Sequence, residues 1–279
     1  MVNADAMQVY AELSILTARP TPAEAATVPH RLYGHVPARE AYSVARWLAD
    51  VAPVLAEAAA AGRVPIVVGG TGLYFEALTR GLAPVPEIPE AVREGLRREA
   101  VQLGPVGLHA RLARRDPAMA ARLRDSDPQR ILRALEVIEA TGRSLDDWQR
   151  TVSTPLLDPA EAVRVVLAPD RAWLHARIEE RVGRMIEAGA LDEAAAFARL
   201  DLDPALPASR AIGVQAFAAA ARGDIAPNQA LGRAVVDTRR YARRQETWFR
   251  NRMADWWRFD PRNIREAAAA ILKDPALPA

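Results

Sequence analysis

The sequence predicts an α/β fold in which helices flank a parallel sheet, and three observations carry this prediction. Residues 64–68 form a short, wholly apolar run that ends in the glycine pair Gly69-Gly70. A run of this length bounded by glycines is typical of a strand that is buried on both faces of a parallel sheet. Helical patterns precede and follow this run, and residues 163–169 form a second strand candidate. The alternation of helix and strand favours parallel pairing.

The first well-marked helix is predicted from about Ser43 to Ala61. Gly62 suits its C-terminal end, because glycine readily adopts the left-handed conformation that follows many helices. One face of this helix is apolar, as expected of a helix packed on a core. That face consists of Val44, Trp47, Leu48, Val51, Val54 and Leu55. The helix leads directly into the first strand candidate and forms an α-to-β unit with it.

A proline-rich segment at residues 82–89 predicts a domain boundary, because a helix cannot continue through its prolines. Polar helical segments then continue to about Arg124. Asp127 is a candidate N-cap of a further helix, with Pro128 in the first turn and Gly142 at the end. We therefore predict an α/β core at residues 1–85 and 160–279, with a mostly helical insertion at residues 86–159.

A helix that begins near Asp170 carries three arginines on one face. We expect these arginines to be solvent-exposed and to pair with nearby glutamates. They are Arg177, Arg181 and Arg184, with Glu180 and Glu187 as the expected partners. Residues 256–260 predict a final short strand.

Residues 237–252 form a dense basic helix with interleaved aromatic side chains. This pattern suits a nucleic-acid backbone together with unstacked bases. The alternative places Trp248 and Phe249 in the core and leaves the arginines in solvent. From the residues alone, both interpretations stay open.

The composition excludes several classes of function. The chain has no cysteine, so it contains no disulfide, thiol nucleophile or cysteine-ligated zinc site. Lys273 is the only lysine and no glycine loop precedes it, so the chain contains no G-x-x-x-x-G-K-[ST] phosphate loop. The sequence shows no secretory signal and no apolar stretch of membrane-spanning length, so we expect a cytoplasmic protein.

Two side chains stand out as candidate site residues. Asp5 follows a short apolar start, and it is either a helix N-cap or a strand-end carboxylate that faces a ligand. Thr71 places a hydroxyl at the carboxyl end of a strand candidate, where open α/β sheets bind their ligands. The pair Arg130 and Arg133 lies one helical turn apart, and such pairs are usually solvated.

Seven segments, in the same order as in the family, resemble the bacterial tRNA dimethylallyltransferases, also called tRNA isopentenyltransferases. They are NADAMQVY (3–10), TARP (17–20), HRL (30–32), VGGTGLY (68–74), DPQR (127–130), AIG (211–213) and YARRQETWFR (241–250). The resemblance implies a fold similar to P-loop nucleotide kinases with a helical insertion. It also implies transfer of a dimethylallyl group from its diphosphate to the exocyclic amine of the adenine 3′ of the anticodon in tRNA.

The resemblance also implies roles for individual residues. Asp5 is expected to be the general base and Arg210 a diphosphate contact. The expected tRNA contacts are Asp5, Ala6, Met7, Gln8, Thr71, Arg93, Gln129, Arg130, Ile131, Leu132, Arg133, Arg240, Arg243, Arg244 and Gln245. The expected partners are the tRNA anticodon stem-loop and dimethylallyl diphosphate, with Mg²⁺ as the cofactor. No residue is assigned to the metal, and a monomer without membrane contact is expected.

The chain departs from the family at its start. The family's phosphate-binding loop, with its lysine and its Ser/Thr magnesium ligand, precedes the segment that corresponds to residues 3–10. We therefore expect an N-terminally incomplete member that lacks the first strand and the phosphate loop and does not catalyse transfer as given. Two alternatives are a nucleotide or nucleoside kinase relative with the same fold and a non-catalytic tRNA-binding protein.

Overall fold

The computed structural model describes residues 1–151 and 153–274. They form two compact units, one of residues 1–79 together with residues 156 onward, and one of residues 80–155. The predicted insertion at residues 86–159 covers most of the second unit. In the part of the chain that the structure describes, no helix has the length and apolarity needed to span a membrane.

The described residues are rich in helices and contain two short parallel sheets, so the coarse α/β prediction is confirmed. In chain order the elements are β1 Val2–Asn3, α1 Pro22–Ala25, α2 Val44–Ala60, β2 Val67–Val68, α3 Gly72–Arg80, α4 Glu90–Arg115, α5 Pro117–Arg122, α6 Pro128–Thr141, α7 Leu145–Arg150, β3 Val165–Leu167, α8 Arg171–Glu187, α9 Ala190–Ala198, α10 Val214–Ala221, α11 Pro227–Arg252, β4 Trp257–Phe259 and α12 Ile264–Ile271.

Both sheets belong to the first unit. Strand β1 pairs in parallel with β2, with Asn3 opposite Val68, and β3 pairs in parallel with β4. The final strand is therefore present where the sequence predicted it. Because α2 precedes β2 and α8 to α11 lie between β3 and β4, both parallel pairs have the helical connections that parallel strands require.

The prediction that the strand at residues 64–68 is buried on both faces is wrong. Ile66 is 56% exposed and Val68 is 43% exposed. These side chains are exposed because the sheet is small. Among the described residues, β2 is hydrogen-bonded along one edge only, to β1. A two-stranded sheet leaves more of its side chains uncovered than a wide one.

Helix α2 forms as the sequence predicts. The Ser43 side chain accepts a hydrogen bond from the Arg46 backbone N–H at 3.2 Å, which satisfies one of the donors left free at a helix start. Trp47 is fully buried, stacks on Tyr74 of α3 at 4.5 Å between ring centroids, and donates from Nε1 to the Asn3 carbonyl at 2.8 Å. The helix therefore supports β1 directly, at the point where the chain enters the candidate site.

The second unit packs α4 against α6. The Asp127 side chain caps α6 by accepting from the Arg130 backbone N–H at 3.2 Å, and Gly142 ends the helix in the left-handed conformation with φ of 67°. Both predictions are confirmed. Leu112 of α4 and Leu135 of α6 are fully buried, so this unit has an apolar core of its own.

Candidate active site

The loop that carries Asp5 is held by a buried asparagine at the end of β1. Asn3 is fully buried, and its Oδ1 accepts a hydrogen bond from the Asp5 backbone N–H at 2.9 Å. Its Nδ2 donates to the carbonyl oxygens of Asp5 and Leu32, both at 3.0 Å. Because all the polar atoms of this side chain are used, the position of the Asp5 backbone is fixed.

The Asp5 carboxylate lies at the carboxyl end of β1 and is partly buried. Its Oδ1 accepts hydrogen bonds from the backbone N–H groups of Met7 at 2.8 Å and of Gln8 at 3.4 Å. Burial raises the pKa of Asp5, while these hydrogen bonds, the nearby N–H of Gly70 and the charge of Arg181 act in the opposite direction. A carboxylate with a raised pKa is a better proton acceptor than an ordinary one.

The glycine turn after β2 packs directly on the loop that carries Asp5. A Cβ at Gly69 would overlap the carbonyl carbon of Ala4, so only glycine fits there. The Thr71 backbone N–H donates to the Ala4 carbonyl at 3.2 Å, and Thr71 Oγ1 accepts from the Ala6 backbone N–H at 2.9 Å. The two loops at the carboxyl ends of β1 and β2 therefore form one surface, as expected for a parallel sheet.

Helix α11 closes this surface from the other side. Gln245 Nε2 donates to the Gly70 carbonyl at 2.9 Å, and the Tyr241 hydroxyl donates to the same oxygen at 3.4 Å. A Cβ at Gly72 would overlap the indole ring of Trp248, so the next turn of α11 also packs closely on the glycine turn. The aromatic side chains of the basic helix thus support the site.

The exposed side of α11 carries most of its positive charge. Arg240 pairs with Asp237 at 3.3 Å. Arg243 and Arg244 are exposed and have no acidic partner within 4 Å among the described residues. The aromatic residues pack inward while the arginines stay in solvent, as the second interpretation of this helix expects, and nucleic-acid binding by the arginines stays a prediction.

Arg181 of α8 is exposed, as the sequence predicted, but its action on Asp5 was missed. Arg177 and Arg184 do pair with Glu180, at 2.9 Å and 3.6 Å. Arg181 has no ion-pair partner within 4 Å in the described part of the chain, and its charge acts on Asp5. Burial lowers the pKa of Arg181.

The position of Arg181 on α8 could have indicated that this residue acts on an anionic group. The inward face of α8 contains the buried residues Ile178 and Val182, and Arg181 lies three residues after the first and next to the second. An arginine at the edge of the apolar face of a helix is a candidate for a specific anionic partner, because its guanidinium group loses part of its solvation there. The sequence pattern contained this signal, but the alternating charges around it favoured a solvated surface.

The negative charge of Asp5 also acts on the hydroxyl groups of three tyrosines. They are Tyr33 on the segment between α1 and α2, Tyr74 on α3 and Tyr241 on α11. Burial raises the pKa of each hydroxyl, and the negative charge of Asp5 raises it further. All three therefore stay neutral at physiological pH. Tyr33 and Tyr241 are partly exposed, so their rings can contact a nucleobase, whereas Tyr74 is buried against Trp47 and supports the site from inside.

A glutamate that sequence reasoning missed supports the site from α9. The Glu193 carboxylate accepts three backbone hydrogen bonds at 2.8–2.9 Å, from Ser14, Ile15 and Leu16. The residues that follow bind Gln8, whose Nε2 donates to the Thr17 carbonyl at 2.9 Å. Glu193 therefore fixes the loop that holds one of the predicted tRNA contacts.

The other predicted contact residues lie in several places. Arg210 is exposed at the end of a 3₁₀ turn of the first unit, and Arg93 lies on α4 of the second unit, 3.5 Å from Glu90. Residues 129–133 belong to α6 of the second unit. Ile131 is fully buried in the core of that unit, so its side chain is not available to a ligand, and the expected tRNA contact of this segment depends on its exposed neighbours. The reason is helical periodicity, because Ile131 lies on the inward face.

The described residues offer no ready metal site. Among them, no group of three or more histidine, aspartate or glutamate side chains is placed to hold an ion. Asp5 is a single carboxylate, and its Oδ1 already binds two backbone N–H groups.

Comparisons with known proteins show which sequences this chain resembles. Residues 8–252 match the protein-family model described as IPP transferase. The tRNA dimethylallyltransferase of Azorhizobium caulinodans is 55% identical over 273 residues, which are 98% of this chain and 88% of that protein. The tRNA dimethylallyltransferase of Rhizobium johnstonii is 53% identical over 257 residues, which are 92% of this chain and 86% of that protein.

Two solved structures are similar in fold. The full-length tRNA isopentenylpyrophosphate transferase of Bacillus halodurans superposes with a TM-score of 0.65 at 31% identity, covering 98% of this chain and 88% of that chain. A eukaryotic dimethylallyltransferase acting on tRNA superposes with a TM-score of 0.79 at 23% identity, covering 97% of this chain and 70% of that chain. At that identity the second likeness supports the fold alone.

Proposed function

This chain belongs to the IPP transferase family, and from that premise we propose that it transfers a dimethylallyl group from dimethylallyl diphosphate to the exocyclic amine of the adenine 3′ of the anticodon. Relatives that are about half identical over nearly the whole chain are tRNA dimethylallyltransferases. The kinase and the non-catalytic alternatives are not favoured by these relatives. The relatives do not test the expectation that the chain as given is inactive, and the proposal does not include it.

The observation that supports this reaction most directly is the environment of Asp5. The amine nitrogen attacks the allylic carbon, the carbon–oxygen bond breaks, and the bonding electrons leave with the diphosphate. The nitrogen then carries an extra proton, which the Asp5 carboxylate accepts. Because an adenine amine is a poor nucleophile, a carboxylate with a raised pKa at this position assists bond formation.

The aromatic surroundings of Asp5 support a nucleotide substrate. An adenine inside a stacked anticodon loop cannot reach the donor, so it must leave its stack and enter a pocket. Tyr33 and Tyr241 are neutral, partly exposed and close enough for the charge of Asp5 to act on them, which suits contact with an extruded base. We propose that Thr71 and residues 5–8 contact the neighbouring nucleotides.

We propose that arginines bind the diphosphate of the donor. Arg210 keeps the role that the resemblance implies, and it is exposed and therefore available to a ligand. Mg²⁺ is proposed only as an ion that accompanies the diphosphate, since the described residues do not form a metal cage. No step of the reaction is derived through it.

The tRNA surface that we propose includes the exposed side of α11, with Arg240, Arg243, Arg244 and the neighbouring Gln245. On the second unit we propose separate tRNA contacts at Arg93 and at the polar residues of α6. The polar α6 residues are Gln129, Arg130 and Arg133, with the partly buried Leu132 beside them. Guanidinium groups bind phosphates through paired hydrogen bonds and keep their charge at all physiological pH values. A monomer is proposed as the active form.

Incubation with an anticodon stem-loop and dimethylallyl diphosphate tests this proposal. Mass spectrometry of the digested RNA should show one dimethylallyl group on the adenine 3′ of the anticodon. A stem-loop with guanine at that position is the control, and it should stay unmodified. Phosphate transfer from ATP to a nucleoside would instead support the kinase alternative, and tight RNA binding without any product would support the non-catalytic one.

A further inference from the structure

A cavity of the first unit lies between α8 and α11. It shares Arg243 with the tRNA surface proposed above, whereas Arg171 and Arg239 have no role assigned so far. Its volume is about 250 Å³. Its walls are rich in arginine and include apolar side chains. The lining residues that carry the argument are Arg171, Leu174, His175, Val236, Arg239 and Arg243.

The positive charge of this cavity is only partly neutralised. Arg239 pairs with Glu179 through Nη2, but its Nε is buried and has no hydrogen-bond partner among the described residues. A buried N–H donor without an acceptor is costly, so a ligand that supplies an acceptor is favoured there. Arg171 and Arg243 have no acidic partner within 4 Å in the described part of the chain. Two unpaired guanidinium groups and an orphaned donor indicate an anionic ligand.

The remaining walls indicate what carries the anion. Leu174 and Val236 form apolar surface beside the arginines, and Val236 is 44% exposed. Glu246 also lines the cavity and disfavours a ligand of high negative charge density. A single phosphodiester attached to a ribose and a base satisfies both surfaces, since the phosphate binds arginine and the sugar or base covers the apolar wall.

The cavity and the Asp5 site both include side chains of α11, but these side chains lie on different faces of the helix. Tyr241, Gln245 and Trp248 face the glycine turn, whereas Arg239 and Arg243 face the cavity. With 3.6 residues in each turn, the two sets lie on opposite sides of the helix. The diameter of a helix with its side chains is about 10–12 Å. An RNA strand that places a base at Asp5 can therefore extend past α11 and bring a neighbouring phosphate to the cavity.

We propose that this cavity binds one backbone phosphate of the tRNA substrate, through Arg171, Arg239 and Arg243. This inference rests on the proposed function, because it takes tRNA as the source of the phosphate. It extends the RNA surface to the start of α8, which the sequence analysis had not assigned to RNA.

Phosphate-interference binding tests the inference with the full chain. A set of tRNA anticodon-arm RNAs, each with one neutral methylphosphonate, is titrated against the wild type, Arg171→Gln and the control Arg177→Gln. Arg177 lies on the same helix and pairs with Glu180, outside the cavity. Arg171→Lys tests rescue by a conservative change, and thermal unfolding of each variant verifies its fold.

One methylphosphonate position should weaken wild-type binding about fivefold, the upper range for an exposed charge pair, and should not weaken Arg171→Gln binding further. The same variant should lower the slope of log affinity against log salt by about 0.7–0.9, the value for one lost phosphate contact. Arg177→Gln should behave as the wild type, and Arg171→Lys should restore part of the affinity.

Three outcomes separate the explanations. If every methylphosphonate acts equally on the wild type and on Arg171→Gln, the cavity binds no RNA phosphate and the inference is wrong. If calorimetry shows inorganic phosphate or diphosphate binding that Arg171→Gln removes while RNA affinity is unchanged, the cavity takes a free anion and the RNA assignment is overturned. If the wild type itself neither binds nor modifies the anticodon arm, the proposed function fails and the inference fails with it.

Discussion

Gln245 of α11 donates a hydrogen bond of 2.9 Å to the carbonyl oxygen of Gly70, and the N–H of the same glycine lies near the Asp5 carboxylate. The backbone of one glycine therefore connects the basic helix with the candidate base. A Cβ at Gly70 would overlap Gln245 Nε2 and lie 3.2 Å from Asp5 Oδ2, so no other residue fits without displacing one of them. The position of α11 and the position of the carboxylate are coupled through this glycine.

Gln245→Met should lower the free energy of unfolding by about 0.5–1.5 kcal/mol, the usual net contribution of one hydrogen bond. It should also slow transfer, because Gly70 is then held only by the longer bond from Tyr241. Chemical denaturation and steady-state kinetics measure the two effects. Gln215→Met, an exposed position on α10, is the matched control and should change neither quantity. A Gln245→Met variant with full stability and activity would show that the contact has no role.

Gly69→Ala should destabilise the protein by more than 1 kcal/mol, since backbone atoms of Ala4 block the new methyl group and cannot move aside easily. Gly183→Ala on α8 is the control, because nothing lies within 4 Å of its added Cβ. Alanine in a helix is more favourable than glycine by about 0.5–1 kcal/mol, so the control should be slightly stabilised. Thermal unfolding of both variants tests the pair, and equal shifts would contradict the close approach of the two loops.

Arg181→Gln should shift the acidic limb of the kcat/KM profile to higher pH. Arg181 is the cation that lowers the pKa of Asp5, so its removal lets burial raise that pKa further. The carboxylate is then protonated, and inactive as a base, at a higher pH than in the wild type. Arg181→Lys should keep most of the wild-type profile, and Arg177→Gln should keep all of it. An unchanged acidic limb in Arg181→Gln would remove Arg181 from the site.

The sequence predicted the elements whose determinants are local. The start of α2 near Ser43, the cap at Asp127 and the helix ends at Gly62 and Gly142 are present, because they depend on residues within one turn of the helix. The family segments also brought Asp5 and the glycine turn into one site.

What the sequence did not predict depends on residues far apart in the chain. Arg181 is 176 positions from Asp5, and Glu193 is 179 positions from Ser14, so no local pattern connects them. The exposure of Val68 depends on how many strands join the sheet, which the apolarity of one strand does not reveal. Ile131 was expected to contact RNA because of its neighbours in sequence, although the helical period turns it inward.

Asp5→Asn gives the most direct test of the account. The raised pKa of Asp5 means that the folded state binds a proton more readily than the unfolded state, so the wild type loses stability as the pH rises through the folded-state pKa. The asparagine variant lacks this loss and should be at least as stable as the wild type at neutral pH. Its fold and its affinity for the anticodon arm should therefore be retained.

The decisive measurement is the single-turnover rate of dimethylallyl transfer to a saturating anticodon stem-loop, compared between the wild type and Asp5→Asn. Because the asparagine cannot accept the proton, the rate should fall by about two to four powers of ten while RNA binding is unchanged. A rate within a factor of about three of the wild type, in a variant that binds RNA normally, would contradict the assignment of Asp5 as the base.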